Sequence, residues 1–109
     1  MPTINLYYKN KSDANRLEAS VSVIKSYIAE QLICGDIKLT AEEVSIRFIA
    51  TQGSAMIGSV ELDITAHAFL ERVKRQDEIC RDIMDHVQRT CLIKDVRVWL
   101  RLCELGHSW

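Results

Sequence analysis

The second residue of the chain, Pro2, is its only proline, and it directly precedes a short apolar stretch. If Met1 is removed, Pro2 becomes the amino terminus, and its nitrogen is a secondary amine that can accept and donate a proton. If Met1 is retained, the same nitrogen is an amide, and Pro2 only begins a strand, where proline is tolerated at a sheet edge. Pro2 is therefore a candidate for acid–base chemistry that depends on the fate of Met1.

Cysteine and histidine supply no second candidate site. The four cysteines, Cys34, Cys80, Cys91 and Cys103, include no pair with the C-x-x-C spacing of a zinc or redox site. Only Cys103 and His107 are close in sequence, and no second pair completes a tetrahedral metal site. We expect four reduced thiols, with Cys80 and Cys91 in the core, and neither a metal nor a cofactor.

The length and the charge balance of the chain favour a single domain that binds neither nucleic acid nor a membrane. The chain has 109 residues, 14 basic against 15 acidic side chains and a net charge of -1. This length is close to the commonest domain size, and the charge balance gives no electrostatic reason to bind nucleic acid or an anionic membrane. The first twenty residues lack a signal-peptide apolar region, and no run approaches the roughly 20 apolar residues of a membrane span. We expect one cytoplasmic domain, residues 1–109, without a nucleic-acid or membrane partner.

Alternating apolar and polar residues predict four strands, at 3–8, 43–51, 60–66 and 95–103. In each strand one face is mainly aliphatic and suits contact with helices. The other face mixes aromatic, aliphatic and cationic groups, namely Asn5, Tyr7, Ser45, Arg47, Ile49, Arg97, Trp99 and Arg101. A plain solvent face would rarely carry Trp99 and Ile49, so we expect this face to pack on a partner in an oligomer.

Two helices separate the strands. The first is predicted from Ser12, as N-cap, to about Cys34, with Gly35 placed as a C-terminal cap. The second is predicted over 69–91, with an apolar stripe at helical spacing. The resulting order is βαβ–βαβ, with similar halves at about 1–53 and 54–109. This order predicts an α/β two-layer sandwich, in which a four-stranded sheet carries two helices on one face.

A Met-Pro start that leads straight into a strand, followed by βαβ–βαβ in a chain of this length, resembles the tautomerase superfamily. The resemblance is strongest to small bacterial members of the macrophage migration inhibitory factor and carboxymethyl-hydroxymuconate isomerase type. It rests on "VELDITAHAFLERVKRQDEICRDI", "DVRVWLRLC" and "LGHSW". It covers the whole chain in order and length, and it implies a cofactor-independent tautomerase or isomerase that forms a homotrimer.

The resemblance also implies roles for individual residues. Pro2 matches the family's general base, which lies in a pocket at a subunit boundary. Arg47 resembles the family's strand arginine, which binds the substrate carboxylate or stabilises the developing enolate charge. The family often has a further arginine just after the third strand, where this chain has Leu70. Arg97 and Arg101 are candidates for that missing charge on a small carboxylate-bearing keto or enol substrate. Tyr7 and Trp99 are candidates for apolar pocket walls.

Other interpretations of the same residues stay open. The three strand arginines also suit inter-subunit ion pairs with Glu61, Asp63 or Glu104. The chain is alternatively a catalytically silent tautomerase-fold oligomer that serves binding or assembly. Two βαβ halves also suit a ferredoxin-like module for a small ligand or RNA, although neither "SIRFIA" nor "RVWLRL" contains the glycine of an RNA-binding strand.

Overall fold

The alternating N-terminal stretch forms strand β1, Thr3–Tyr8, as predicted. Its even-numbered residues Ile4 and Leu6 are buried, whereas Asn5 and Tyr7 are only partly covered. The computed structural model describes residues 2–36, 38–52, 55–56 and 58–106. Met1, whose removal decides the chemistry of Pro2, and His107, which lies close to Cys103 in the sequence, are outside the described residues.

Three further strands complete one sheet: β2 is Ser45–Ala50, β3 is Val60–His67 and β4 is Val96–Cys103. The sheet order is β2-β1-β3-β4. β1 is parallel to β2, β3 is parallel to β4, and β1 is antiparallel to β3. Each half of the chain is therefore a parallel pair joined by a helical crossover, as predicted. The strands β2 and β4 form the two edges.

The first predicted helix is divided into two helices, α1 at Lys11–Ala19 and α2 at Val21–Gln31. Between them, Ser20 leaves the helical conformation, with φ -111° and ψ 12°. The Ser20 N–H donates to the Leu17 carbonyl at 3.2 Å, so this turn closes over three residues instead of four. The apolar spacing continues across the turn, which is why the sequence pattern predicts one helix there.

Both predicted caps of that helix were wrong. The N-cap is Asn10, two residues before Ser12, and its side-chain oxygen accepts from the Asp13 N–H at 2.9 Å. At the other end α2 stops before Leu32, and Gly35 follows in a separate turn with φ +57°. Glycine suits that left-handed position, but it does not terminate the helix directly.

The second predicted helix is also divided. A short helix α3, Leu70–Lys74, precedes the longer α4, Gln76–Cys91. Arg75 separates them, with φ -107° and ψ 13°. The predicted apolar stripe of α4 is confirmed by its buried residues, which recur every fourth position at Ile79, Ile83, Val87 and Cys91.

One apolar cluster fills the space between the helices and the sheet. It contains Ile4 and Leu6 of β1, Leu62 and Ile64 of β3, and buried residues from α1, α2 and α4. The predicted α/β class, with helices on one face of a four-stranded sheet, is confirmed, although the helical layer has more segments than predicted. Within the part of the chain that the structure describes, no helix combines the length and the apolar character of a membrane span.

Candidate functional site on the sheet

Pro2 lies just before β1 and is buried. Its carbonyl accepts a hydrogen bond from the Ser45 N–H at 3.1 Å, which extends the β1–β2 pairing by one residue beyond Thr3. The backbone at Pro2 is thereby fixed to the start of β2.

The face of the sheet opposite the helices, here called the open face, is organised in three rows across the four strands. The register places the residues of each row side by side in the order β2, β1, β3, β4. The rows are Ser45–Thr3–Thr65–Arg101, Arg47–Asn5–Asp63–Trp99 and Ile49–Tyr7–Glu61–Arg97. The five residues predicted for the site besides Pro2 therefore lie on one face, as their alternation predicts.

The same register separates the predicted arginines. Arg47 lies on the edge strand β2, whereas Arg97 and Arg101 lie on the opposite edge strand β4. With a spacing of about 4.8 Å between neighbouring strands, the two edges are about 14 Å apart. A single chain therefore does not bring the predicted arginines together into one cluster.

The two arginines of β4 are engaged by carboxylates of the same chain. Arg101 donates to both carboxylate oxygens of Asp63, at 3.1 and 3.2 Å. Arg97 lies 3.4 Å from Asp95. Across residues 2–36, 38–52, 55–56 and 58–106, no ion pair involves Arg47, which is exposed. Arg47 is therefore the open-face arginine that remains available to an anion.

A cavity of about 560 Å³ is lined by residues of β1, β3, β4 and the start of α4, and it brings together three of the predicted residues, Tyr7, Trp99 and Arg101. It also contains polar residues that the sequence analysis did not assign to a site: Glu61, Asp63 and Gln76. Glu61 and Asp63 alternate along β3, so the strand periodicity already placed both carboxylates on the same face as the predicted walls. Pro2 does not line this cavity.

Arg72, from the segment after β3, is buried and structural. Its Nε donates to the Leu32 carbonyl at 3.0 Å and its Nη1 donates to the His67 carbonyl at 3.1 Å. Its guanidinium also lies 4.8 Å from the centre of the Phe69 ring. Burial lowers the pKa of this guanidinium, yet an arginine stays charged. Because its donors are committed to backbone carbonyls, Arg72 does not supply the anion contact that is missing after β3.

The two cysteines of α4 lie in covered positions. All four cysteines are free, and burial raises the pKa of the Cys80 and Cys91 thiols, which makes them poorer nucleophiles. Cys91 is buried in the core, as predicted, whereas Cys80 is only partly buried and packs against the core from α4. Within the described ranges, no three His, Cys, Asp or Glu side chains are grouped as a metal site would require.

Comparisons with known proteins identify the fold. The chain matches no protein-family model and no curated protein. It is similar in structure to N1, a member of the cis-3-chloroacrylic acid dehalogenase family, with TM-score 0.65 and 13% sequence identity over 94% of this chain and 75% of that chain. Similarity at such low identity establishes a shared fold.

Two further structures have the same fold. Malonate semialdehyde decarboxylase matches with TM-score 0.62 and 14% identity, over 95% of this chain and 84% of that chain. Its structure was solved for the wild type, for a variant with alanine in place of the first-residue proline, and for an inactivated form. A fused 4-OT, a symmetric trimer, matches with TM-score 0.58 and 14% identity, over 94% and 87% of the two chains. The chain therefore shares the fold of these three proteins, and the predicted tautomerase-like architecture is confirmed.

Proposed function

We propose that this chain, which has the fold of the tautomerase superfamily, is a tautomerase or isomerase that acts on a small carboxylate-bearing keto or enol substrate. In this proposal the amino-terminal nitrogen of Pro2 is the general base, and Arg47 binds the substrate carboxylate or the developing enolate oxygen. The observation that carries the proposal is the burial of Pro2 at the start of β1 in this fold.

Physical chemistry supports Pro2 as a base. A free α-amino group has a pKa near about 8 in water. Burial disfavours the charged ammonium and so lowers that pKa toward neutrality, where a general base is most effective. The Ser45 N–H fixes the Pro2 carbonyl at 3.1 Å, so the ring nitrogen has a defined position relative to β2. Malonate semialdehyde decarboxylase, a fold neighbour, also has a proline as its first residue.

Arg47 suits the role of its electrostatic partner. The side chain is exposed on the edge strand β2, the strand whose first residue, Ser45, is hydrogen bonded to Pro2. Its guanidinium can form two parallel hydrogen bonds to a carboxylate. The contacts predicted between substrate and Arg97, Arg101 or Trp99 require a second subunit, because β4 lies at the opposite edge of the sheet. Tyr7 lies on β1, beside β2, and can contact the same substrate within one chain.

A homotrimer is part of the proposal. The open face exposes Trp99 at 54% and carries Arg47 and Ile49 near the other edge. A fold neighbour, the fused 4-OT, is a symmetric trimer. Three copies that meet edge to edge would bring the β4 edge of one chain toward the β2 edge of the next and would cover this face.

The test combines intact mass with enol–keto kinetics. Untagged protein is separated into species with and without Met1, and each is assayed by ultraviolet absorbance on phenylpyruvate and a panel of 2-oxo acids. The expected result is activity only in the species that begins at Pro2. Because general acid–base catalysis contributes about 10²–10⁴-fold, Pro2→Ala should lower kcat/KM by at least about 10²-fold.

Two matched controls make the assay decisive. The species that retains Met1 keeps the Pro2 ring but blocks its nitrogen, so it separates chemistry from packing. Arg47→Ala should lower kcat/KM by about 10–10²-fold, with partial recovery in Arg47→Lys, whereas Lys74→Ala removes an exposed cation from α3 and should change little. Activity that survives in the Met1-retaining species, or in Pro2→Ala, would contradict the proposal.

A second candidate is a tautomerase-fold oligomer without catalysis. The observation that favours it is the pairing of Arg101 with Asp63 and of Arg97 with Asp95, which leaves one arginine on the open face for a substrate. This candidate predicts a stable trimer whose Pro2 species shows no activity on any 2-oxo acid.

A further inference from the structure

His67 lies at the end of the sheet where the chain begins. The β1–β3 register pairs Thr3 with Thr65, and continuing it by one residue sets Pro2 opposite Ala66. His67 is the next residue of β3 and its last, so it lies about 3.4 Å further along the strand than the level of Pro2. Because the two strands are antiparallel, the nitrogen of Pro2, which precedes its Cα, is displaced toward the level of His67.

His67 is held in place through both its backbone and its ring. Its carbonyl accepts from the Phe69 N–H at 3.0 Å and from Nη1 of the buried Arg72 at 3.1 Å. Its imidazole packs against the Phe69 ring, with ring centres 4.6 Å apart. The N–H of Leu105, just after β4, donates to its Nδ1 at 3.4 Å. The ring therefore has a defined orientation, as a group that contacts a reacting atom requires.

The contact with Leu105 decides which nitrogen of His67 can donate. A neutral imidazole carries one N–H, and the nitrogen that accepts a hydrogen bond is the one without the proton. Since Nδ1 accepts from the Leu105 N–H, the proton of the neutral ring lies on Nε2. Among the residues that the structure describes, no hydrogen bond uses this Nε2. His67 therefore offers an uncommitted N–H donor close to the start of β1.

We propose that Nε2–H of His67 donates to the carbonyl oxygen of a 2-oxo acid as negative charge develops on it, which makes His67 a catalytic residue. This inference rests on the proposed function. The nitrogen of Pro2 takes a proton from the carbon beside the carbonyl, the C–H electron pair forms the C=C bond, and the carbonyl π pair moves to oxygen. His67 keeps its proton and stabilises this enolate. Water then protonates the enolate oxygen to give the enol, and Pro2 returns its extra proton to water.

Arg47 then binds the carboxylate of the same substrate. It pairs with Asn5, three residues after Pro2 and about 10 Å along the strand, whereas His67 lies beyond Pro2 in the other direction. The long arginine side chain can extend back toward Pro2, so the two donors act from opposite sides of the base. This arrangement suits a carboxylate and a ketone on adjacent carbons. The substrate class is therefore a 2-oxo acid and not a simple ketone.

The test is enol–keto kinetics on phenylpyruvate with three substitutions of His67, in the species that begins at Pro2. His67→Ala removes both ring nitrogens and should lower kcat by about 10²-fold. His67→Gln places an amide N–H near the position of Nε2 and should recover part of that loss. His67→Asn places its amide oxygen near the position of Nδ1, which keeps the acceptor for Leu105 but not the donor, so kcat should stay low. A role that only fixes the chain after β4 would give the opposite order.

His86→Phe is the matched control, because it removes an imidazole from α4 in the helical layer and should leave kcat and KM unchanged. Wild-type kcat in His67→Ala, with Pro2→Ala inactive, overturns the role of His67 and leaves the proposed base standing. Better recovery in His67→Asn than in His67→Gln also overturns it. Wild type without any activity overturns the proposed function and the role of His67 together. Circular dichroism checks folding, and if His67→Ala is unfolded, the comparison of His67→Gln with His67→Asn decides.

Discussion

On the open face, the half of the sheet built from β1 and β2 carries one charged side chain, Arg47, whereas the half built from β3 and β4 carries four, Glu61, Asp63, Arg97 and Arg101. The two halves have the same strand–helix–strand order and the same parallel pairing. Their open faces nevertheless differ in what they offer to a ligand. In the second half both arginines are held by nearby carboxylates.

The helix-facing sides of the two halves are alike. Leu6 of β1 and Leu62 of β3 are directly paired and both are buried, within one apolar cluster. The common core therefore preserves the architecture of both halves, while the open face is free to diverge. Among the described residues the first half leaves Arg47 without an ion pair, whereas the second half pairs most of its charges within the chain.

The largest effect on stability is expected when core volume is removed from each half separately. Leu6→Ala and Leu62→Ala should each lower the free energy of unfolding by about 2–5 kcal/mol, because each leaves a cavity in a close-packed cluster. Urea unfolding followed by far-ultraviolet circular dichroism and by tryptophan fluorescence measures the effect. Coincident transitions in both variants are expected, since one core serves both halves. Separate transitions for the two probes would show that the halves unfold independently.

Arg72 tests the connection between the halves, because its guanidinium joins the carbonyl of Leu32, after α2, to that of His67, at the end of β3. Arg72→Leu should lower the free energy of unfolding by about 1–3 kcal/mol, because two covered carbonyls lose their donor. Arg75→Leu is the control, since Arg75 is exposed and pairs with Glu78, and it should change stability by less than about 1 kcal/mol. Equal losses of stability for the two variants in thermal melts would show that the hydrogen bonds from Arg72 to Leu32 and His67 do not stabilise the fold.

The open-face ion pair of the second half should contribute less. Arg101 is 65% exposed in its side chain, so water screens much of its attraction to Asp63. A double-mutant cycle with Asp63→Asn and Arg101→Met should give a coupling of about 0.2–1 kcal/mol. The coupling should shrink in high salt. A coupling that is large and salt-independent would contradict the description of an exposed, screened pair.

The smallest effect is expected in the pH dependence of the contact between α2 and α4. His86 stacks on Tyr27 with ring centres 3.9 Å apart, and burial, followed by the nearby Arg89, holds the pKa of His86 below its ordinary value. Glu30, Asp82 and Asp85 are the acidic groups around the same stack. The unfolded chain therefore takes up a proton at His86 as pH falls through about 6.5, while the folded chain resists it.

Wild type should consequently lose stability between pH 7 and pH 5 relative to His86→Phe, which keeps the stack and removes the titration. Urea unfolding at both pH values measures the difference, with His67→Phe as the control histidine. If wild type instead gains stability relative to His86→Phe as pH falls, then folding raises the pKa of His86, and the prediction is wrong.

Strand periodicity was enough to place most of the candidate site. The even–odd alternation assigned Arg47, Trp99 and Arg101 to one face of the sheet, because side chains on a strand point alternately to its two sides. The same alternation gave the strand bounds to within a few residues and the helix-facing core. Helix spacing identified the buried stripe of α4. Helix spacing did not predict the breaks at Ser20 and Arg75, because one tight turn barely disturbs an apolar repeat.

By itself, the sequence determined the order of the elements, the face that each strand residue occupies and the position of Pro2 before β1. These properties are local, because they follow from backbone periodicity and turn chemistry. Only the tertiary structure decided which strands are neighbours. It placed Arg47 and Arg101 at opposite edges and Asp63 beside Arg101. Strand order depends on long-range pairing and core packing, which alternation along one segment does not encode. The physical reason is that a strand's periodicity fixes its faces but not its partners.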